Sequence, residues 1–132
     1  MTELIANPDN ELNDAPIDES DLDVDEERQI IVHCNCDLSD SPAGRIRFCP
    51  PIFLMDPITG YKSNLLFHYN IALKPDWTNI PGHSNWKFTL VFGGLPLGCQ
   101  EFDLIEVESG YGILDIEGIP RNKEDIYHVV IE

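Results

Sequence analysis

Apolar side chains recur at every second position through several short runs of this chain, the period of half-buried β-strands. In Trp86–Phe92, Trp86, Phe88, Leu90 and Phe92 share one face, and Lys87, Thr89 and Val91 the other. Gln29–Leu38 repeats the pattern, with Ile30, Val32, Cys34, Cys36 and Leu38 set against Ile31, His33, Asn35 and Asp37. Arg45–Met55 is extended but interrupted by Pro50 and Pro51, which donate no ladder hydrogen bond and so predict a bend or a sheet edge. In Tyr61–Leu73, Leu65, Phe67, Tyr69, Ile71 and Leu73 alternate with Leu66, His68, Asn70 and Ala72. Phe102–Val107, Tyr111–Ile119 and Asp125–Ile131 complete the set, the last with Tyr127, Val129 and Ile131 opposite Ile126, His128 and Val130.

Turn-forming residues separate these runs. Asp56–Gly60 predicts a hairpin turn, and Ser39–Gly44 and Pro120–Lys123 predict further reversals. Gly93, Gly94, Pro96 and Gly98 read as a tight reversal that pairs Trp86–Phe92 with Phe102–Val107. Lys74–Asn85 reads as a loop, with Trp77 and Ile80 closing over the core. No segment has a sustained 3.6-residue period. The expectation is therefore an all-β fold, an immunoglobulin-like antiparallel β-sandwich of about seven strands. The Cys…Trp…Cys spacing of antibody domains is absent, so the expectation concerns architecture alone.

Charge changes the picture at one end. The chain of 132 residues holds 24 acidic and 8 basic residues, a net charge of −16. Eleven of the acids lie within residues 1–27, which contain no Lys or Arg, leaving 13 acids against 8 bases in the remainder. Residues 1–28 accordingly read as an acidic flexible tail and residues 29–132 as the β-sandwich domain. Few and scattered basic residues argue against direct binding of nucleic acid or of an anionic membrane surface. The tail suits solubility, or contact with a basic protein. Asp21, Asp23 and Asp25 have the spacing that begins a calcium loop, but Glu26 stands where that loop needs Gly, and Val32 where it needs a bidentate Glu. The start of the chain shows no basic region followed by an apolar run, which predicts a cytoplasmic location and four reduced thiols.

Candidate chemistry centres on His33-Cys34-Asn35-Cys36, with Cys49 and Cys99 as further thiols. A Cys-x-Cys within a strand sends both sulfurs to one side, here with Ile30, Val32 and Leu38, and sends His33 to the other. Such thiols pack as small hydrophobes; the alternative is a metal- or thiol-dependent sensor using Cys34 and Cys36. His33, His68 and His128 fall opposite the main apolar faces, and His83 falls in a loop. There is no nucleophile elbow and no phosphate-cradling loop before a helix, so no catalytic residue, metal ligand or cofactor is assigned. Trp77, Tyr61 and Tyr111 are the aromatics a small glycan-binding sandwich would use.

The runs Arg45-Ile-Arg-Phe, Phe53-Leu-Met-Asp with Thr59-Gly60, Phe88-Thr-Leu-Val-Phe with Gly94-Leu-Pro, Phe102-Asp-Leu-Ile-Glu106 and Ile119-Pro-Arg-Asn-Lys-Glu-Asp-Ile-Tyr127 resemble a group of uncharacterised bacterial proteins. Those proteins share a small immunoglobulin-like β-sandwich domain, and the resemblance covers about residues 29–132. It implies fold and carries no activity. Together these readings lead to the expectation of a non-catalytic protein-interaction module in which a sheet edge or face meets another protein.

Overall fold

The computed structural model describes residue 24, residues 28–107 and residues 114–131. Among these the chain forms β1 (Ile30–Leu38), β2 (Gly44–Ile46), β3 (Ile52–Met55), β4 (Lys62–Tyr69), β5 (Thr78–Ile80), β6 (Ser84–Phe92), β7 (Glu101–Glu106), β8 (Ile116–Pro120) and β9 (Ile126–Ile131). The fold is all-β, as the alternation requires. Its architecture differs from two facing antiparallel sheets: seven strands form one sheet in the order β8-β7-β3-β4-β6-β1-β9, and β2 pairs with β5 in a small second sheet. The large sheet curls strongly into a half-barrel.

Chain connectivity forces the curl. β8 and β9 are the two edges, and in a flat sheet six strand spacings would hold them about 29 Å apart. Pro120 and Ile126 are separated by only the five residues of Arg121–Asp125, whose full extension spans at most about 22 Å. The edges must therefore approach one another. Phe102 of β7 and Tyr127 of β9 meet edge to face inside the curl, with ring centroids 4.9 Å apart. The concave face is the core, holding Ile30, Val32, Cys34 and Cys36 of β1 with Phe88, Leu90 and Phe92 of β6 and Phe102 and Leu104 of β7.

Three pairings depart from the sequence reading. β6 and β7 do not form a hairpin: β6 lies between β4 and β1, β7 lies between β3 and β8, and residues 93–100 cross over the β3–β4 hairpin. The glycines and Pro96 serve that crossover, in which Leu95 and Cys99 are buried as a plug over one end of the half-barrel. β9 runs parallel to β1, with Ile31 opposite Ile126 and Cys36 opposite Ile131, so the sheet is mixed. The β8–β9 link delivers the chain to the end where β1 begins, which fixes that direction. Within Lys74–Asn85, β5 interrupts the expected loop and places Ile80 in the interior.

β4 contains the fourth departure. Its register against β6 shifts between Leu65 and Phe67. An extra residue reverses the side-chain parity of everything after it. Leu65 packs against the core, while Phe67 and Tyr69 face outward and are 50% and 56% exposed.

The plugged end is held by charge. Arg121 donates from Nε to Asp125 Oδ1 at 2.5 Å and from one Nη to Oδ2 at 3.1 Å. Its other Nη donates to the carbonyls of Pro96 at 2.9 Å and Cys99 at 3.2 Å. Tyr127 donates its hydroxyl to Asp125 at 2.7 Å and accepts from the backbone N–H of Asn122 at 3.0 Å. Arg28 pairs with Asp125 from the solvent side at 2.7 Å. Asp125 is 1% exposed, and has a φ of 57°. Burial by itself would raise its carboxyl pKa, yet the hydrogen bonds from Arg121 and Tyr127 and the charges of Arg121 and Arg28 hold it below the ordinary value. Burial, opposed by the Asn122 hydrogen bond and reinforced by Asp125, pushes the Tyr127 hydroxyl up to about 12.

Removing one partner of such a pair leaves the other charge buried and uncompensated, so Arg121→Ala should lower stability by about 3–5 kcal/mol in urea unfolding. The depressed Asp125 carboxyl adds stability that is present above its unfolded pKa and lost as pH falls through its lower folded one. Asp125→Asn should therefore remove part of the loss of stability that the wild type shows on acidification, read as a shallower slope of unfolding free energy against pH.

Candidate functional site

Opposite the core, the outward side chains of β4, β6, β1 and β9 lie in cross-strand rows. Phe67, Val91, Ile31 and Ile126 form one row; Tyr69, Thr89, His33 and His128 form the next; Lys87, Asn35 and Val130 form a third. Residues alternate in and out along a strand, so the pattern that buries Val32 and Cys34 necessarily presents Ile31, His33 and Asn35 on this side. The second and third rows line a groove of about 530 Å³, and the first row lies beside it on the same face. Its apolar margin is exposed, with Val130 at 63% and Tyr69 likewise open to solvent, and Ile126 of the neighbouring row is exposed as well.

The middle row is organised by contacts between neighbours. His33 Nδ1 lies 2.9 Å from Thr89 Oγ1, and the His33 and His128 rings stack at 5.0 Å with 28° between their planes. In the third row, Asn35 Oδ1 is buried and has no hydrogen-bond partner among the described residues. Of the side chains in these rows Lys87 is the sole fixed charge and it is positive. This is notable in a chain with 24 acids.

The sequence-based candidates fall elsewhere. Cys34 and Cys36 are 2% and 3% exposed on the core side of β1, and His33 is on the other side of the sheet. Burial pushes the Cys34 thiol up to about 12, with the neighbouring Cys36 adding to the shift, and burial likewise raises Cys36. Cys99 is buried at the plugged end, where burial is again the largest influence and raises its pKa. Among the described residues no group of three or more His, Cys, Asp or Glu side chains gathers to hold a metal ion. The structure thus assembles no ligand set around Cys34 and Cys36.

Trp77 does not close the core: it is 38% exposed, with the guanidinium of Arg47 4.0 Å and that of Arg45 4.5 Å from its ring centre. Its indole serves two cations rather than the interior. Tyr61 is 36% exposed beside the β3–β4 turn. Tyr111, and the Asp21, Asp23, Asp25 series, lie outside the described residues. Phe67 and Tyr69 are the members of the outer face that alternation placed on the wrong side; the residue that shifts them carries no Gly or Pro to announce the bulge.

Comparison with protein-family models, curated proteins and solved structures yields no match for this chain.

The core thiol has a measurable consequence. A folded-state pKa raised from 9.0 to about 12 means that the unfolded chain releases the Cys34 proton first. Its contribution to stability is full below the unfolded value and is lost as pH rises through the folded one. Cys34→Ala should show a flatter decline in stability than the wild type across that alkaline window. In native protein a thiol reagent should label the partly exposed Cys49 well before Cys34 or Cys36, and mass mapping of the labelled peptides checks the order.

Proposed function

We propose that the protein is a non-catalytic interaction module that docks a segment of another protein on the outer face of β4, β6, β1 and β9. The observation that carries this is the exposure of Tyr69 and Val130 in an acid-free groove, with Phe67 and Ile126 exposed in the row beside it, on an otherwise acidic chain. Exposed apolar area gathered on a regular sheet face is the mark of an interaction surface, whereas isolated exposed hydrophobics are ordinary.

The chemistry of the groove defines the segment. Apolar groups match the Phe67 to Ile126 row, and an acidic side chain matches Lys87 with the imidazoles of His33 and His128. An apolar segment carrying carboxylates is therefore the occupant, so the face favours a partner of opposite sign to the basic one that residues 1–28 suggest. Two aromatics at the rim supply rigid contact area at low cost in conformational entropy. The sensor reading has no comparable observation behind it, because both of its sulfurs are in the core.

The test compares capture of cellular proteins by the full chain, by Phe67→Ser/Tyr69→Ser, and by Leu97→Ser, which alters an exposed apolar residue outside the groove. The reading requires a captured protein whose affinity falls at least about tenfold for the double variant and is unchanged for Leu97→Ser, with unaltered circular dichroism in all three. If everything captured is retained by the double variant, the outer face is not the docking surface.

A further inference from the structure

The sheet's two edges are protected unequally. β8 carries Glu117, Gly118 at a φ of 71° and Pro120, and its register against β7 shifts between Phe102 and Leu104. Charge, proline and bulge are the devices that stop an edge strand from accepting another strand. β9 has none of them. Its sequence, Ile-Tyr-His-Val-Val-Ile, contains no Asp, Glu, Lys, Arg or Pro, and its register with β1 is unbroken from Ile126 to Ile131.

The parallel ladder shows which groups this edge offers. Ile31 N donates to Asp125 O at 2.9 Å, which sets the phase: β9 bonds to β1 through Tyr127 and Val129, and the N–H and C=O of His128 and Val130 point away from the sheet. Asn122 Nδ2 donates to Ile126 O at 2.9 Å and so caps that end of the edge. Two residues, His128 and Val130, remain with donors and acceptors that are open among the described residues, in regular strand geometry.

We propose that β9 pairs antiparallel with β9 of a second copy, about a two-fold axis through Val129, joining two seven-stranded sheets into one. This goes beyond the face reading, because it concerns the edge and a different occupant. A second copy is the occupant because the edge complements itself. Antiparallel pairing sets His128 opposite the copy's Val130, and each open N–H meets an open C=O, as an isologous interface demands. Charge also selects this seam. A chain of −16 repels its own copy, but β9 is uncharged and the adjoining Asp125 is buried and paired with Arg121 and Arg28. Antiparallel pairing sends the two Arg28 positions, where the acidic segments join the sheets, to opposite ends of the seam.

A six-residue edge falls below the roughly 1,200 Å² of a tight interface, so the dimer is a weak one that exchanges rapidly. Added salt strengthens it by screening the repulsion between the two acidic chains.

Sedimentation of the full chain over about 5–500 µM, at low and high salt, tests this. The weight-average mass should climb from one chain toward two, and climb at lower concentration in high salt. Val130→Lys and Val130→Pro should each remain single chains over the same range, with unchanged circular dichroism and urea midpoint, while Phe67→Ser should dimerise like the wild type. Val129→Cys should form an intermolecular disulfide under mild oxidation. A wild type that stays single at every concentration, or a dimer that survives both Val130 substitutions or disappears with Phe67→Ser, overturns the edge proposal. The last of these outcomes would make the face the contact between copies, and leaves the capture experiment to decide what else binds there.

Discussion

Arg121 spreads its guanidinium over Asp125 and over the carbonyls of Pro96 and Cys99, tying together the segments that meet at one end of the sheet. The geometry follows from the chain's own shortness there. Five residues joining opposite edges of a seven-stranded sheet require it to curl, and curling brings the crossover 93–100 against the β8–β9 link. Loop carbonyls in that position are cut off from water and need donors. One arginine supplies them. Its charge needs a counter-charge at the same depth, which is why an aspartate sits at 1% exposure beside it. Buried ion pairs add little net stability compared with apolar packing, because both ions lose hydration. The role of this one is to specify which segments close the half-barrel.

The strands that build the body of the sheet were legible in sequence. β1 and β6 alternate without interruption, pair over nine positions, and bury the residues that the period assigns to the core, except Leu38 and Trp86, which are partly buried and pack against it. The thiols of Cys34 and Cys36 follow from the same count, since their parity matches that of Ile30 and Val32. Pairing was less legible. Gly93, Gly94, Pro96 and Gly98 mark a change of direction, but a crossover and a hairpin demand the same turn residues, and only the positions of β3 and β4 distinguish them. The parallel course of β9 depends likewise on where β8 ends in space, which no local pattern encodes.

Parity explains the outer face. A strand of period two has a reading frame, and a single extra residue shifts it. Alternation through Tyr61–Leu73 places Leu65, Phe67 and Tyr69 together, and the bulge divides them, leaving Leu65 inside and turning two aromatics outward. A bulge has no sequence signature when the inserted residue is a leucine. The groove was thus invisible in sequence for a structural reason: half of its apolar rim comes from residues whose side was reversed, and the rest from β9, whose neighbour depends on topology.

Charge placement bears on what such a face can do. Eleven acids lie in residues 1–27, and the three rows described across β4, β6, β1 and β9 contain none, the next outward position of β1 being Asp37. A surface meant only to keep the protein soluble would distribute its charges, because an acid-free, largely apolar face on an acidic molecule remains open to association whatever the net charge. The acidic segment instead sets a long-range repulsion between copies, which decays within a Debye length, about 8 Å at physiological salt. Contacts made at the face or along β9 act at a few ångströms, inside that distance. The two effects therefore separate by range: net charge acts on how often molecules meet, and in the proposed contacts the acid-free face and the β9 edge would decide whether an encounter lasts.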